Sequence, residues 1–121
     1  IRKTFGIADI IRAALIPVIE KINWSFVYGS IASGEETSAS DVDLMVVSSS
    51  LAYADIMALL PEAERLIKRT INPSIYTAEQ IKQKMQENNS FVNRVMAQNK
   101  IWIKGSEDGI RAPESTARKP G

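Results

Sequence analysis

Residues 29–44 read Gly29-Ser30-Ile31-Ala32-Ser33-Gly34-Glu35-Glu36-Thr37-Ser38-Ala39-Ser40-Asp41-Val42-Asp43-Leu44. The stretch lies between two short apolar runs, Trp24 to Tyr28 and Val42 to Val47, rich in aromatic and β-branched residues, which read as strands. Gly29 to Ser40 is a small-residue loop, with a helical turn expected near Ser30 to Ser33. The second strand is expected over Asp41 to Val47. Alternate side chains of a strand share a face, so Asp41 and Asp43 point the same way, with Cα atoms about 6.6 Å apart at about 3.3 Å per residue. Two carboxylates that close repel unless a proton or a cation joins them. A hard divalent ion, Mg²⁺ or Mn²⁺, takes such oxygens and completes its shell with phosphate and water. A turn of Gly and Ser can bring backbone N–H groups up to a phosphate. A phosphate cradle beside a metal-binding dyad suits chemistry on a nucleoside triphosphate. Val42, Leu44 and Val46 make the other face of the strand apolar, which places it centrally, buried on both sides.

Outward from this block the chain alternates helix and strand. Ile7, Ile10, Ile11, Ala14, Val18 and Ile22 fall at helical spacing, with Asp9 as the expected cap, Pro17 as a break and Asn23 as the end. Helices are expected over 52–60 and from Pro61 to about Arg69. Ile71 to Tyr76 reads as a third strand, and Pro73 suggests an edge or a bulge. Thr77 and Gln80 form a capping-box pattern ahead of a helix over 78–86. Another helix, capped by Ser90, is expected over 91–98, and Lys100 to Lys104 is a last, half-exposed strand. The fold class is α/β, a small mixed sheet with helices packed on it. Residues 1–111 make one domain, and the polar stretch 112–121 is expected to be a disordered tail.

Composition narrows the chemistry. At 121 residues a single domain can bury about two-thirds of its unfolded surface, enough for a core without staples. There is no Cys and no His, which removes thiolate chemistry, disulfides and the commonest general base and zinc ligand. No apolar run reaches the ~20 residues of a membrane span. A cysteine-free composition permits a cytoplasmic location. Net charge is +1 but uneven: residues 1–61 hold 4 basic and 7 acidic groups, residues 62–121 hold 11 and 7. Lys82, Lys84 and Arg94 read as solvated helix residues, any of which could meet phosphate. No basic run interleaved with aromatics marks a nucleic-acid surface.

Gly-Ser, ten residues, then Asp-x-Asp is the motif of the polymerase-beta-like nucleotidyltransferase superfamily, and the chain resembles it in register through Gly29-Ser30 and Asp41-Val42-Asp43. It looks most like the minimal nucleotidyltransferase domains of bacteria and archaea, through Ala32, Gly34, Glu35, Ser40 and Leu44 as well. The resemblance implies catalytic, metal-holding roles for Asp41 and Asp43, with Mg²⁺ or Mn²⁺ as cofactor. It implies nucleotide binding at Gly29, Ser30 and Ser40, although Ser30 would also serve as a helix cap. Two departures stand out. The loop position that often holds Arg is Ser33, and Asn72 or Ser74 stands where a third acid is expected. The stretches 72–77, 91–95 and 100–105 are similar to the domains fused to winged helix-turn-helix transcriptional regulators. The chain starts at Ile1, and an upstream DNA-binding segment is expected for that subgroup. Three readings follow: an enzyme transferring a nucleoside monophosphate to a small-molecule or protein hydroxyl with release of pyrophosphate, a nucleotide sensor without turnover, or a structural dimerisation domain. A homodimer is compatible with each.

Overall fold

The computed structural model describes residues 2–34 and 40–106. Strands β1 (Trp24–Tyr28) and β2 (Val42–Val47) pair antiparallel, with Tyr28 opposite Asp43 and Trp24 opposite Val47. Strand β3 (Ile71–Tyr76) lies parallel to β2, with Asn72 opposite Asp43. Strand β4 (Ile101–Lys104) adds antiparallel to the far side of β1. The order β3-β2-β1-β4 is a mixed sheet of the expected α/β class.

The period-2 pattern of the strands divides the core in two. One face carries Val27, Val42, Leu44, Val46, Ile71 and Ile103 and is covered by α1 (Arg2–Leu15), α3 (Tyr53–Met57) and α4 (Pro61–Ile67) through Ile11, Leu15, Ile56 and Ala63. The other carries Phe26, Tyr28, Met45 and Val47 beneath Ile81 of α5 (Ala78–Gln86) and Val95 of α6 (Ser90–Ala97). Every β2 residue except Asp43 is buried, as expected for a central strand. Each buried aliphatic side chain of this kind contributes about 1.5–3 kcal/mol.

Several local expectations change. Asp9 caps nothing: α1 starts at Arg2, and Asp9 lies inside it, paired with Arg12 one turn on at 2.9 Å. The break at Pro17 takes the form of a 3-10 turn over Ile16–Lys21. The Thr77–Gln80 box forms, with Gln80 N–H donating to Thr77 Oγ1 at 3.0 Å and Thr77 N–H to Gln80 Oε1 at 2.8 Å. The cap of α6 is Asn89, not Ser90. Asn88 turns the chain at φ 61°, Asn89 is extended, and its Oδ1 accepts from Val92 N–H at 3.0 Å. Glu35, Glu36 and the tail over 112–121 lie outside the described residues.

The outer flank of β3 is blunted, as Pro73 suggests. Val42 N–H donates to the Thr70 carbonyl and Ser48 N–H to that of Tyr76, at 2.8 and 2.9 Å. In a parallel ladder this leaves Ile71, Pro73 and Ile75 with their backbone groups turned outward. Pro73 has no N–H to offer, and Glu64 Oε2 takes that of Ile71 at 2.8 Å. On the opposite flank, Arg12 Nε donates to the Ile103 carbonyl at 2.9 Å and its Nη2 to that of Trp102 at 3.2 Å.

Candidate active site

The chain leaves buried Tyr28 and must turn at once. Gly29 does this at φ 81°, ψ −155°, a conformation essentially reserved for glycine. It also makes room: a Cβ at Gly29 would collide with Asp43 Oδ2 and sit 3.3 Å from its Cγ. Strand pairing brings the two together, because Asp43 is the register partner of Tyr28. The Gly29 N–H donates to Gln98 Oε1 at 3.2 Å, so the contribution of Gly29 to the site is space and direction. Helix α2 (Ser30–Ser33) follows immediately and closes at Gly34 in the left-handed region, φ 80°.

Asp41 lies one residue before β2 and not within it, because the β2–β3 ladder begins where Val42 N–H meets the Thr70 carbonyl. It is exposed, and Asp43 is half-buried. Ahead of them the Ser40 carbonyl accepts from Arg69 Nη1 at 2.9 Å. Asn72, across from Asp43 on β3, donates from Nδ2 to Asp41 Oδ2 at 3.1 Å. One amide next to both carboxylates puts them on the same side of the sheet, the side covered by α5 and α6. Asn72 thus stands beside the pair as a neutral hydrogen-bond donor.

Burial raises the Asp43 pKa above its ordinary value, the Asp41 charge raises it further, and the Asn72 amide opposes both. Tyr28 is also raised, first by burial; a hydrogen bond to Ser74 opposes this, and the Asp43 charge adds to it. Tyr28 therefore reaches across β2 to β3 and forms an aromatic wall beside Asp43. A half-buried carboxylate next to a second one is the donor set a hard divalent cation fits. Among the described residues no group of three His, Cys, Asp or Glu side chains converges on the pair. The structure thus joins Gly29, Asp41 and Asp43, with Ser30 opening the helix that follows and Ser40 entering the strand. The side chain of Ser33 lies outside the described residues.

Gln98, Arg69 and the Asn72–Asp41 bond are contributions that the sequence did not reveal. Each joins residues far apart in the chain, so the only usable signal was the register of the sheet. A cleft of about 390 Å³ lined by Ser48, Tyr53, Tyr76, Thr77 and Gln80 opens at the other end of β2 and β3, and no carboxylate lines it. The carboxylate pair, not that cleft, holds the reactive groups.

A mixed four-stranded sheet with a glycine turn leading to an acidic pair defines a nucleotidyltransferase type of domain. Residues 15–107 match the model of the polymerase beta nucleotidyltransferase family, and the chain belongs to that family. Two solved structures share the fold. One is a toxin–antitoxin with AMP-PNP, at 14% identity and a TM-score of 0.58. The other is a mutant of the toxin–antitoxin MntA-HpeT, at 13% identity and a TM-score of 0.59. Both comparisons cover 85% of this chain and 77% of the other. No curated protein sequence matches the chain. Among the described residues no helix is long and apolar enough to cross a membrane.

Proposed function

We propose that the chain binds a nucleoside triphosphate with Mg²⁺ or Mn²⁺ at Asp41 and Asp43 and transfers the nucleoside monophosphate to a hydroxyl of a small molecule or protein. The observation that carries this reading is the seat of Asp43: its carboxylate lies against a glycine where any Cβ would strike it, with Asp41 on the same side. Two such groups, one of them half-buried, are costly together without a cation. A divalent ion held there would supply the positive charge that a triphosphate needs to accept an electron pair at its α-phosphorus. Ser30, at the start of α2, offers a hydroxyl and a backbone N–H to the β- and γ-phosphates, and Ser40 lies at the entry to the pair. The acceptor oxygen forms a bond to the α-phosphorus while the bond to pyrophosphate breaks. Asn72 cannot take the acceptor's proton, which suits slow turnover, a base derived from the substrate, or an acid supplied by a partner chain.

Titration calorimetry tests the binding half. Mg²⁺ and ATP should bind together, and Asp43→Asn should abolish the joint binding. Nucleotide affinity that ignores both the metal and the substitution overturns the proposal. Labelled pyrophosphate release with candidate acceptors tests the transfer half.

One observation favours a second reading. An amide in place of the third acid, already bonded to Asp41, suits a domain that senses Mg²⁺–nucleotide without turnover, signalling to an upstream DNA-binding segment of a transcriptional regulator. Micromolar binding with no pyrophosphate release would select it. A cytoplasmic location accords with either reading, and a homodimer remains a compatible assembly.

A further inference from the structure

The whole stretch 29–44 contains no Lys or Arg, so a polyphosphate at this site must find its positive charge elsewhere in the fold. Five cations among the described residues are held by carbonyls or carboxylates, and Lys84 lies over the Tyr76 ring, 5.8 Å from its centre. Arg12 holds Asp9 and two β4 carbonyls. Arg65 pairs with Glu62. Arg69 is bonded to the Ser40 carbonyl. Lys104 is bonded to the Ile19 carbonyl. Lys100 Nζ covers the Met96 and Gln98 carbonyls at the end of α6, at 2.7 and 3.1 Å, which cancels a negative helix terminus next to Gly29.

Arg94 is different. It lies on α6 one turn before Gln98, and residues four apart on a helix share a face. Gln98 touches the Gly29 N–H, so that face looks onto the glycine turn. One turn further back, Phe91 packs edge-on against Tyr28 at 6.3 Å between ring centres, and Tyr28 is the register partner of Asp43. The Arg94 guanidinium is exposed and sits over the Phe91 ring, 5.9 Å from its centre. Stacking leaves the in-plane N–H donors of a guanidinium available to an oxyanion. Its charge is already felt at the Tyr28 hydroxyl, as is that of Asp43.

We propose that Arg94 is the specificity-determining cation of the site: it meets the β- and γ-phosphates and makes the site prefer a nucleoside triphosphate to a monophosphate. The inference rests on the reading that Asp41 and Asp43 hold a metal–nucleotide. Phe91 holds the guanidinium in place from beneath, and Gln98 fixes the turn the phosphates cross.

The test measures dissociation constants of Mn²⁺–ATP and Mn²⁺–AMP for the full chain and four variants. Arg94→Ala should weaken ATP binding at least about tenfold, the loss of one charge-assisted contact, while AMP changes far less. Arg94→Lys should recover part of the loss. Lys21→Ala, which removes the same charge far from the site, should leave both constants alone. Thermal denaturation should show Arg94→Ala as stable as the parent, because the side chain is exposed. Unchanged ATP affinity in Arg94→Ala overturns the inference, and so does an equal loss for ATP and AMP. Asp43→Asn separates the two levels: if it abolishes Mn²⁺–ATP binding while Arg94→Ala does nothing, only this inference fails. If Asp43→Asn has no effect, the parent reading fails and this one with it.

Discussion

Replacing Gly29 by Ala probes the one place where backbone and site chemistry meet. Two costs arise. The residue holds φ 81°, ψ −155°, where an L-residue is strained by about 1–3 kcal/mol. The new Cβ would also strike Asp43 Oδ2, with Cγ at 3.3 Å, so the carboxylate must swing away. For a domain of this size each kcal/mol lowers Tm by about 4 °C, so backbone strain alone gives a fall of about 4–12 °C. Differential scanning calorimetry measures it. Displacement of Asp43 should separately weaken Mn²⁺ binding, read by electron paramagnetic resonance of free Mn²⁺. The double variant Gly29→Ala with Asp43→Ala isolates the collision. Deleting the carboxylate removes the atoms in the way, so the pair should be non-additive by about 0.5–3 kcal/mol, with the double variant more stable than the sum predicts. Additive losses would show that Asp43 does not sit over Gly29, and an unchanged Tm in Gly29→Ala would refute the turn itself.

Three further outcomes follow from the same structure. Asp43 has a pKa raised by burial and by Asp41, so its contribution to stability is full below its unfolded value and is lost as pH rises through the folded one. Without metal, Asp43→Asn should therefore gain Tm over the parent as pH rises from about 4 through the raised folded value, and a gap that fails to widen with pH argues against the pair. Glu64→Ala strips the partner from the Ile71 N–H and should cost about 1–2 kcal/mol in urea denaturation, whereas Glu64→Gln, which still accepts, should cost less. Arg12→Ala releases the Ile103 and Trp102 carbonyls and should destabilise by about 1–2 kcal/mol, with faster amide exchange in β4 than in β2.

The strands were legible because β-branched and aromatic residues cluster between turn residues. Trp24–Tyr28 and Ile71–Tyr76 are bounded as read, and the Thr77 box follows from side-chain chemistry three residues apart. Caps were less legible where two suitable residues adjoin: Asn89 and Ser90 both can cap, and the choice is made by the turn at Asn88. Asp9 looked like a cap because Asp is common there, but its partner Arg12 shows it on a helix surface. Asp41 was read into the strand because alternation cannot locate the first ladder bond. The grouping of Gly29, Asp43, Asn72 and Gln98 depends on which strands pair and in what register, which no local pattern encodes.

Pro73 and the Glu64 carboxylate have a consequence beyond the fold. Backbone zippering of two molecules along β3 would need a row of open donors there, and the row is interrupted. Fibril growth from that side is disfavoured even in concentrated solution. Any macromolecule that docks beside Asn72 must therefore be chosen by its side chains and not by generic strand addition.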